Sequence, residues 1–210
     1  MRARYMLPAV LLAASFAPQL FAAKSLEKIR NEKVVVTEET LQPGEAEAQP
    51  PVQPSMIVYM TDGTAAHRDG SSGPASVKAG QTVFEDTAAG PLRNSGEAPL
   101  HFCRISFLTE GKDEMWGTTG LSPNYVLLLE NRYGRAYDIR IPAHAREPQH
   151  THHDRVVISL SGAQLEHILP TGKIQPSTLK TGEIVWRLGG THIGHNLGDT
   201  NLWVIAVEPK

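Results

Sequence analysis

The chain has 210 residues, 40% of them hydrophobic, which suits one large or two small packed domains and argues against a disordered chain. Its 20 Lys and Arg against 22 Asp and Glu give a net charge of −2 with no basic face, so nucleic-acid binding is not expected. The single cysteine, Cys103, excludes an internal disulfide and lies in an apolar run, where we expect a buried, inert thiol.

The first 23 residues have the layout of a secretory signal peptide. Two arginines precede an apolar run at 6–14, and small residues follow up to Ala23. We predict cleavage after Ala17 or after Ala23, which makes the mature protein periplasmic or secreted. The apolar run is shorter than the roughly 20 residues of a spanning helix, which disfavours the alternative of an uncleaved anchor.

From residue 24 onward the pattern is that of short β-strands. Runs rich in β-branched and aromatic residues alternate with Gly, Pro, Asn and Asp at the spacing of an all-β sandwich or barrel. The charged segment 24–33 is interpreted as a short helix or an extended arm. The predicted strands are 33–41, 56–61, 75–78, 82–86, 100–108, 125–131, 135–142, 155–161, 164–169, 177–180, 184–188 and 202–208. The polar, Gly-containing segment 109–122 is the expected linker between units 24–108 and 123–210.

The two units are copies of one repeat. Residues 77–106 can be placed over residues 179–208 without a gap. Identical residues then coincide, among them Lys78 and Lys180, Gly80 and Gly182, Val83 and Val185, Asn94 and Asn196, Gly96 and Gly198, and Leu100 and Leu202. The preceding segment 56–63 is placed over 155–162.

Two histidine clusters in the second unit point to a metal site. His150, His152 and Asp154 alternate along an extended run, so we expect their side chains on one face together with Val156, while a returning strand carries His192. Imidazole and carboxylate form a ligand set for Fe, Mn, Ni, Cu or Zn. We predict a divalent transition metal held by the three histidines, with Asp154 as a further ligand or as an orienting group. The alternative is that these are ordinary hydrogen-bonded or surface histidines.

These residues resemble the cupin superfamily, whose fold is the double-stranded β-helix or jelly roll. The second unit carries the match, through His150, His152 and Gly162 in the first cupin motif and Gly182, Gly190, His192 and Asn196 in the second. The resemblance is closest to small cupins with an H-x-H-P-D sequence. It implies a bicupin: an all-β chain of two tandem jelly-roll units.

Several positions depart from the cupin pattern. Val156 stands at the usual glutamate ligand, Leu188 at a usual proline and His144 at a usual turn glycine. In the first unit, Pro51, Gln53, Ser55 and Gly90 occupy the positions of His150, His152, Asp154 and His192. This degenerate unit is therefore expected to bind no metal and to pack against the second unit, as partners do in a cupin dimer.

The function implied is that of an exported metal-binding bicupin, a metal-dependent oxygenase or isomerase acting on a small polar molecule in the second barrel. The alternatives are a non-catalytic periplasmic protein that binds a small molecule and a structural cupin. No G-x-S-x-G elbow, P-loop or dinucleotide-binding glycine pattern is present, so acyl transfer by a serine or cysteine nucleophile lacks support. The expected partner is a small-molecule ligand or substrate, without nucleic acid and, after signal cleavage, without a membrane; association of whole chains into a homo-oligomer stays open.

Overall fold

The computed structural model describes residues 23–49, 51–70, 72–87, 89–112, 114–117 and 120–210. The predicted signal peptide, apart from Ala23, lies outside these described residues. Within them every regular element is a β-strand, which confirms the all-β prediction. These ranges contain no helix with the length and apolar character needed to cross a membrane.

The described part of the first unit forms two facing antiparallel sheets. Its strands are β1 (Lys24–Arg30), β2 (Val34–Leu41), β3 (Ser55–Tyr59), β4 (Gly63–His67), β5 (Ala75–Val77), β6 (Thr82–Glu85), β7 (Leu92–Asn94) and β8 (Leu100–Phe107). A five-stranded sheet has the order β1-β2-β8-β3-β6, and a three-stranded sheet has the order β5-β4-β7. Leu41, Ile57 and Phe102 of the larger sheet pack on Ala65 and Leu92 of the smaller one. This is a jelly-roll barrel with an apolar interior at one end.

The second unit repeats this arrangement. Its strands are β9 (Tyr125–Glu130), β10 (Gly134–Ile141), β11 (His150–His152), β12 (Arg155–Ser161), β13 (Ala163–Ile168), β14 (Ile174–Leu179), β15 (Ile184–Arg187), β16 (Gly190–Asn196) and β17 (Leu202–Pro209). A five-stranded sheet, β15-β12-β17-β10-β9, faces a four-stranded sheet, β11-β16-β13-β14. Ile139, Val157 and Val204 pack on Leu165 and Leu179 between them. The chain therefore consists of two tandem jelly-roll units, as predicted.

A third apolar core joins the two units. Val36 and Met56 from the larger sheet of the first unit pack in one cluster with Val156 and Ile205 from the larger sheet of the second. Cys103 lies in the same cluster, fully buried, and burial raises the pKa of its thiol. Because the thiolate is the reactive form, this cysteine is inert, as the sequence suggested.

The repeat extends to turns and buried polar groups. Gly80 and Gly182, which precede β6 and β15, both have a φ of 81°, a left-handed conformation that favours glycine. Gly44 has the same φ of 81°, whereas its counterpart His144 holds a φ of 58° with a side chain that disfavours it. His144 thus occupies a turn where glycine is the easier residue.

The strand register corrects the alignment of the earlier segments by one residue. Met56 pairs with Ile105 and Val156 pairs with Val207, so residue 56 corresponds to residue 156 and not to residue 155. The first-unit counterparts of His150, His152 and Asp154 are then Pro50, Val52 and Pro54. They are not Pro51, Gln53 and Ser55, as the sequence alignment had placed them. In this register Glu47 coincides with Glu147 and Gln49 with Gln149, and the backbone nitrogens of the two glutamates make the same hydrogen bond, to Leu92 and to Gly194.

Segment 24–33 differs from the helical option considered for it. Lys24–Arg30 is an edge strand paired antiparallel with β2, from Lys24 opposite Thr40 to Arg30 opposite Val35. Ser25 donates a hydrogen bond to Glu39, and Lys28 lies 3.0 Å from Glu38. Pairs of polar and charged side chains hold β1 against β2. The sequence of β1 therefore lacks the alternation of apolar and polar residues that predicts a strand.

Candidate functional site

The second barrel encloses a cavity of about 470 Å³ between its two sheets. Its polar lining includes Tyr125, Glu147, His152, Arg155, His167 and His192. Aliphatic side chains, among them Ile139, Ile141, Val157, Leu165, Leu179, Leu202 and Val204, form the remaining wall. A mostly apolar cavity with a few converging polar groups is the usual form of a small-molecule site.

Three of the predicted ligands come together beside this cavity, which His152 and His192 line. β11 and β16 are paired with His150 directly opposite His192, and alternation along β11 turns His150 and His152 inward while Thr151 faces out. The ring centroids of His150 and His192 are 4.8 Å apart, those of His152 and His192 are 4.9 Å apart, and those of His150 and His152 are 6.0 Å apart. All three side chains are buried.

The backbone contacts of β11 fix the same ring nitrogen, Nδ1, on both of its histidines. The Nδ1 atom of His150 lies 3.0 Å from the carbonyl oxygen of Pro148, and the Nδ1 atom of His152 lies 3.0 Å from that of His153. Since a carbonyl only accepts, each Nδ1 carries the proton and each Nε2 presents a lone pair. The Nε2 of His152 is buried without a hydrogen-bond partner among the described residues. This backbone support is the arrangement that metal-ligating histidines commonly have.

Tyr125 supports His150 from the other side. Its hydroxyl group lies 3.2 Å from the Nε2 of His150, and the two ring centroids are 5.2 Å apart. Burial raises the pKa of Tyr125 to about 12, so the phenol stays protonated and donates to that nitrogen.

His152 and His192 are neutral. Burial, with the nearby Arg155 guanidinium as a second cause, lowers the pKa of His152 to about 2. Burial lowers the pKa of His192 to about 3, helped by the neighbouring His167 and His150. Neutral imidazole is the form that binds metal ions, so no proton has to be displaced at neutral pH.

Asp154 is the predicted ligand that the structure does not bring to the cavity. The expected continuous run from His150 to Val156 is broken at residues 153 and 154, so β11 and β12 belong to different sheets. Asp154 lies in this break and accepts a 2.6 Å hydrogen bond from the backbone nitrogen of Gly189. Val156 faces the core between the units, not the barrel interior. The change of sheet removes the shared face that simple alternation predicted.

Sequence reasoning did not rank three further residues that reach the site. His167 lines the cavity with its ring centroid 4.5 Å from that of His192, and burial lowers its pKa to about 4. Glu147 lies in the loop before β11, and Arg155 is the first residue of β12. The strand register offers one signal for His167, because its first-unit counterpart, at the same place on β4, is His67.

The donor set suits a metal ion in chemistry and in spacing. With metal–nitrogen bonds of about 2.1 Å, imidazoles side by side on one ion have centroids roughly 5 Å apart, close to the spacing of His192 from its two neighbours. Within the described ranges, however, no group of three or more His, Cys, Asp or Glu is assembled as a complete metal site. The rings are adjacent without converging, since Tyr125 holds the Nε2 of His150 and the centroid of His150 lies 6.0 Å from that of His152.

Buried ion pairs occupy part of the interior of the first barrel. Arg104, on β8, donates two 2.9 Å hydrogen bonds to Glu47, one of 2.9 Å to Glu85 and one of 2.8 Å to Ser55. Each of these side chains is buried. Within this cluster the donors of Arg104 are hydrogen-bonded to its neighbours. In the second barrel, by contrast, buried polar atoms of His152 and Arg155 have no hydrogen-bond partner among the described residues.

Both units have the double-stranded β-helix fold, which is the fold of cupin-domain proteins. A cupin 2 conserved barrel domain protein from Leptotrichia buccalis is similar over 93% of this chain and 92% of its own, with a TM-score of 0.59 and 12% identity. The protein Ylba from E. coli is similar over 95% of this chain and 87% of its own, with a TM-score of 0.62 and 11% identity. Oxalate decarboxylase from Bacillus subtilis, whose Mn(II) centres have been characterised, is similar over 84% of this chain and 69% of its own, with a TM-score of 0.52 and 13% identity. No protein-family model and no curated protein sequence matches the chain.

Proposed function

We propose that the second barrel binds a small polar molecule at a divalent transition metal held by His150, His152 and His192. The observation that carries this proposal is the buried Nε2 of His152, which has no hydrogen-bond partner among the described residues while its Nδ1 is fixed by a backbone carbonyl. A buried acceptor without a partner is costly, and a metal ion would satisfy it. Asp154 has a positioning role, because it fastens the end of β11 to Gly189 at the start of the segment carrying His192.

The metal would supply Lewis acidity or a coordination position for substrate. The protein's own contributions are separate from it. Without metal, Tyr125 holds the Nε2 of His150 by donating to it, and it would have to release this nitrogen to the ion. The aliphatic walls bind the organic part of the ligand and exclude water. A metal-dependent oxygenase or isomerase is the activity in keeping with such a cavity. The Mn(II) centres of oxalate decarboxylase support metal use on this fold without indicating which metal, since imidazole also suits Fe, Ni, Cu and Zn.

Metal content tests this proposal directly. Purified protein is incubated with Mn(II), Fe(II) or Zn(II), dialysed and analysed by plasma mass spectrometry, with retention of the fold followed by circular dichroism. Wild-type protein is expected to retain about one ion per chain, and His150→Ala, His152→Ala and His192→Ala are each expected to weaken binding by at least about tenfold.

Two histidines provide matched controls. His153 stacks on Trp116 with ring centroids 4.0 Å apart, and the Nδ1 of His195 lies 2.9 Å from Glu166. His153→Ala and His195→Ala are therefore expected to retain the ion. Folded wild-type protein that retains none, or equal metal loss in the controls and the three cavity variants, would contradict the proposal.

Binding without metal is the second candidate. It is favoured by the fact that no complete ligand group is assembled among the described residues. In that case the cavity holds a small ligand through its other polar groups, and the protein acts as a binding protein rather than an enzyme.

Export completes the proposal. It is supported by the two arginines, the apolar run and the small residues that begin the sequence. The intact mass of protein recovered from the periplasmic or secreted fraction is expected to correspond to a chain starting at Pro18 or Lys24. A full-length mass in that fraction, or protein confined to the cytoplasm, would contradict it.

A further inference from the structure

Two nitrogen atoms of a buried arginine at the cavity lack hydrogen-bond acceptors. Arg155 is 8% exposed and lines the cavity of the second barrel. Its Nε and Nη1 atoms are buried and have no hydrogen-bond partner among the described residues. A guanidinium is always charged in proteins and only donates, so each unmatched N–H inside the barrel is destabilising.

The first barrel shows what such an arginine requires. Arg104 is buried to a similar degree, with 6% exposed, and its donors are taken up by Glu47 and Glu85. Arg104 is thus paired with two carboxylates, whereas Arg155 has two nitrogen atoms without a hydrogen-bond acceptor.

The register shows that one of the two carboxylates of the first barrel is absent from the second. Ser55 lies opposite Glu85 on the paired strands β3 and β6. At the equivalent place on β12 and β15, Arg155 lies opposite Arg187. The acid of the first barrel is replaced by a second cation, and Arg187 also lines the cavity.

The acidic side chain in the cavity lining does not neutralise this wall. Glu147 is buried and its Oε1 has no hydrogen-bond donor among the described residues. Burial raises the pKa of Glu147, which disfavours its charged form. Glu208 is paired with Arg135 at 2.6 Å, and Glu166 interacts with His195. The cavity therefore has two guanidinium groups on one wall, with the histidines, Tyr125, Glu147 and aliphatic side chains on the others.

We propose that Arg155 binds the carboxylate of a small organic acid whose apolar part lies against the aliphatic walls. The ligand carboxylate takes the part that Glu85 has in the first barrel. This inference rests on the proposed use of the cavity as a binding site and is independent of the metal. The cavity of about 470 Å³ has room for an aromatic or short aliphatic acid.

Calorimetric titration of the full chain tests this assignment. The probes are benzoate and butanoate, with benzamide and butanamide as neutral analogues of the same shape and phenyl phosphate as the alternative anion. Each is titrated into protein stripped with a chelator and into protein loaded with metal. The carboxylates are expected to bind at least about tenfold more tightly than the amides and than phenyl phosphate, and Arg155→Gln is expected to remove roughly tenfold to hundredfold of carboxylate affinity, the range for a hydrogen bond to a charged group.

Arg140→Gln is the matched control, because this substitution removes the same charge from a strand. Arg140 is exposed and is paired with Asp138. It is expected to leave carboxylate binding unchanged. A structural role for Arg155 is separated by stability: ligand-free Arg155→Met should be at least as stable as wild type, since it removes an unsatisfied buried charge.

The inference is overturned if amides or phenyl phosphate bind as well as carboxylates, if none of the probes binds either form of the protein, or if the Arg155 and Arg140 variants behave alike. A large loss of stability in ligand-free Arg155→Met would overturn it as well. If the protein retains metal but binds no carboxylate, only the carboxylate inference fails. If it binds carboxylates but retains no metal, only the metal proposal fails.

Discussion

Replacing Arg104 with methionine is expected to lower the free energy of unfolding by about 3–5 kcal/mol, the range found when one partner of a buried ion pair is removed. Arg104 is bound by Glu47 on one edge and by Glu85 and Ser55 on another, with all four side chains buried. Methionine fills much of the same volume but leaves two carboxylates without a counter-charge. Urea denaturation followed by circular dichroism measures the difference.

The loss of stability in Arg104→Met is expected to depend on pH. Burial raises the pKa of Glu47, and Arg104 is the main group that opposes the rise. Without Arg104 the carboxyl binds a proton in the folded state at a higher pH than in the unfolded state, so the deficit should shrink as the pH falls from neutral. Arg155→Met removes the partner of no ion-paired carboxylate, so it should show no loss in the free energy of unfolding. An Arg104→Met protein within about 1 kcal/mol of wild type would refute the ion-pair interior of the first barrel.

Aspartate at position 196 is expected to destabilise the protein by about 2–4 kcal/mol, although it differs little from asparagine in shape. The side-chain nitrogen of Asn196 donates to the carbonyl oxygens of Ile141, Pro142 and Thr200, at 3.1, 3.2 and 2.8 Å. In Asn196→Asp an acceptor faces these carbonyls, and the fully buried site offers no water to replace the donor. Thermal and urea unfolding give the magnitude.

The first unit supplies an internal repeat of this test. Asn94 donates to the carbonyl oxygens of Leu41 and Ala98 at 2.9 and 2.8 Å, so Asn94→Asp should be destabilising by a comparable amount. Asn201 is the control, because it is exposed and uses only its Oδ1 atom, as an acceptor from the nitrogen of Ala143 at 3.0 Å. Asn201→Asp keeps that acceptor and should change stability by less than about 0.5 kcal/mol. Equal effects at positions 196 and 201 would mean that the hydrogen bonds donated by the buried Asn196 side chain do not stabilise the fold.

The sequence was sufficient to predict the all-β architecture and most strands, because half-buried strands alternate apolar and polar residues. It also located the repeat, since Gly80 and Asn94 have backbone and hydrogen-bonding roles that only their own residue types satisfy well. β1 was not recognised as a strand because charged cross-strand pairs hold it at an edge. The short strands β4 and β7 have too few residues to show a period.

The site was predictable in part. Alternation within β11 correctly turned His150 and His152 to the same side, and pairing with β16 places His192 beside them. The prediction for Asp154 extended that alternation across a point where the chain passes from one sheet to the other. Such a break depends on tertiary packing and leaves little trace in the residues themselves.

Arg155 was missed for a related reason. In a continuous strand from His150, residue 155 would have faced away from the histidines, whereas the break lets it line the cavity. Its unmatched donors become apparent only when the ion pairs of Arg104 are compared with it in three dimensions.

Anomalous scattering from crystals soaked in zinc is the most direct test of the second barrel as a metal site. Data collected on both sides of the zinc absorption edge should show one strong peak in the cavity, about 2.1 Å from the Nε2 atoms of His150, His152 and His192. A cavity without a peak, or a peak found only beside His195 and Glu166 on the outer face of the sheet, would contradict the metal site proposed for this protein.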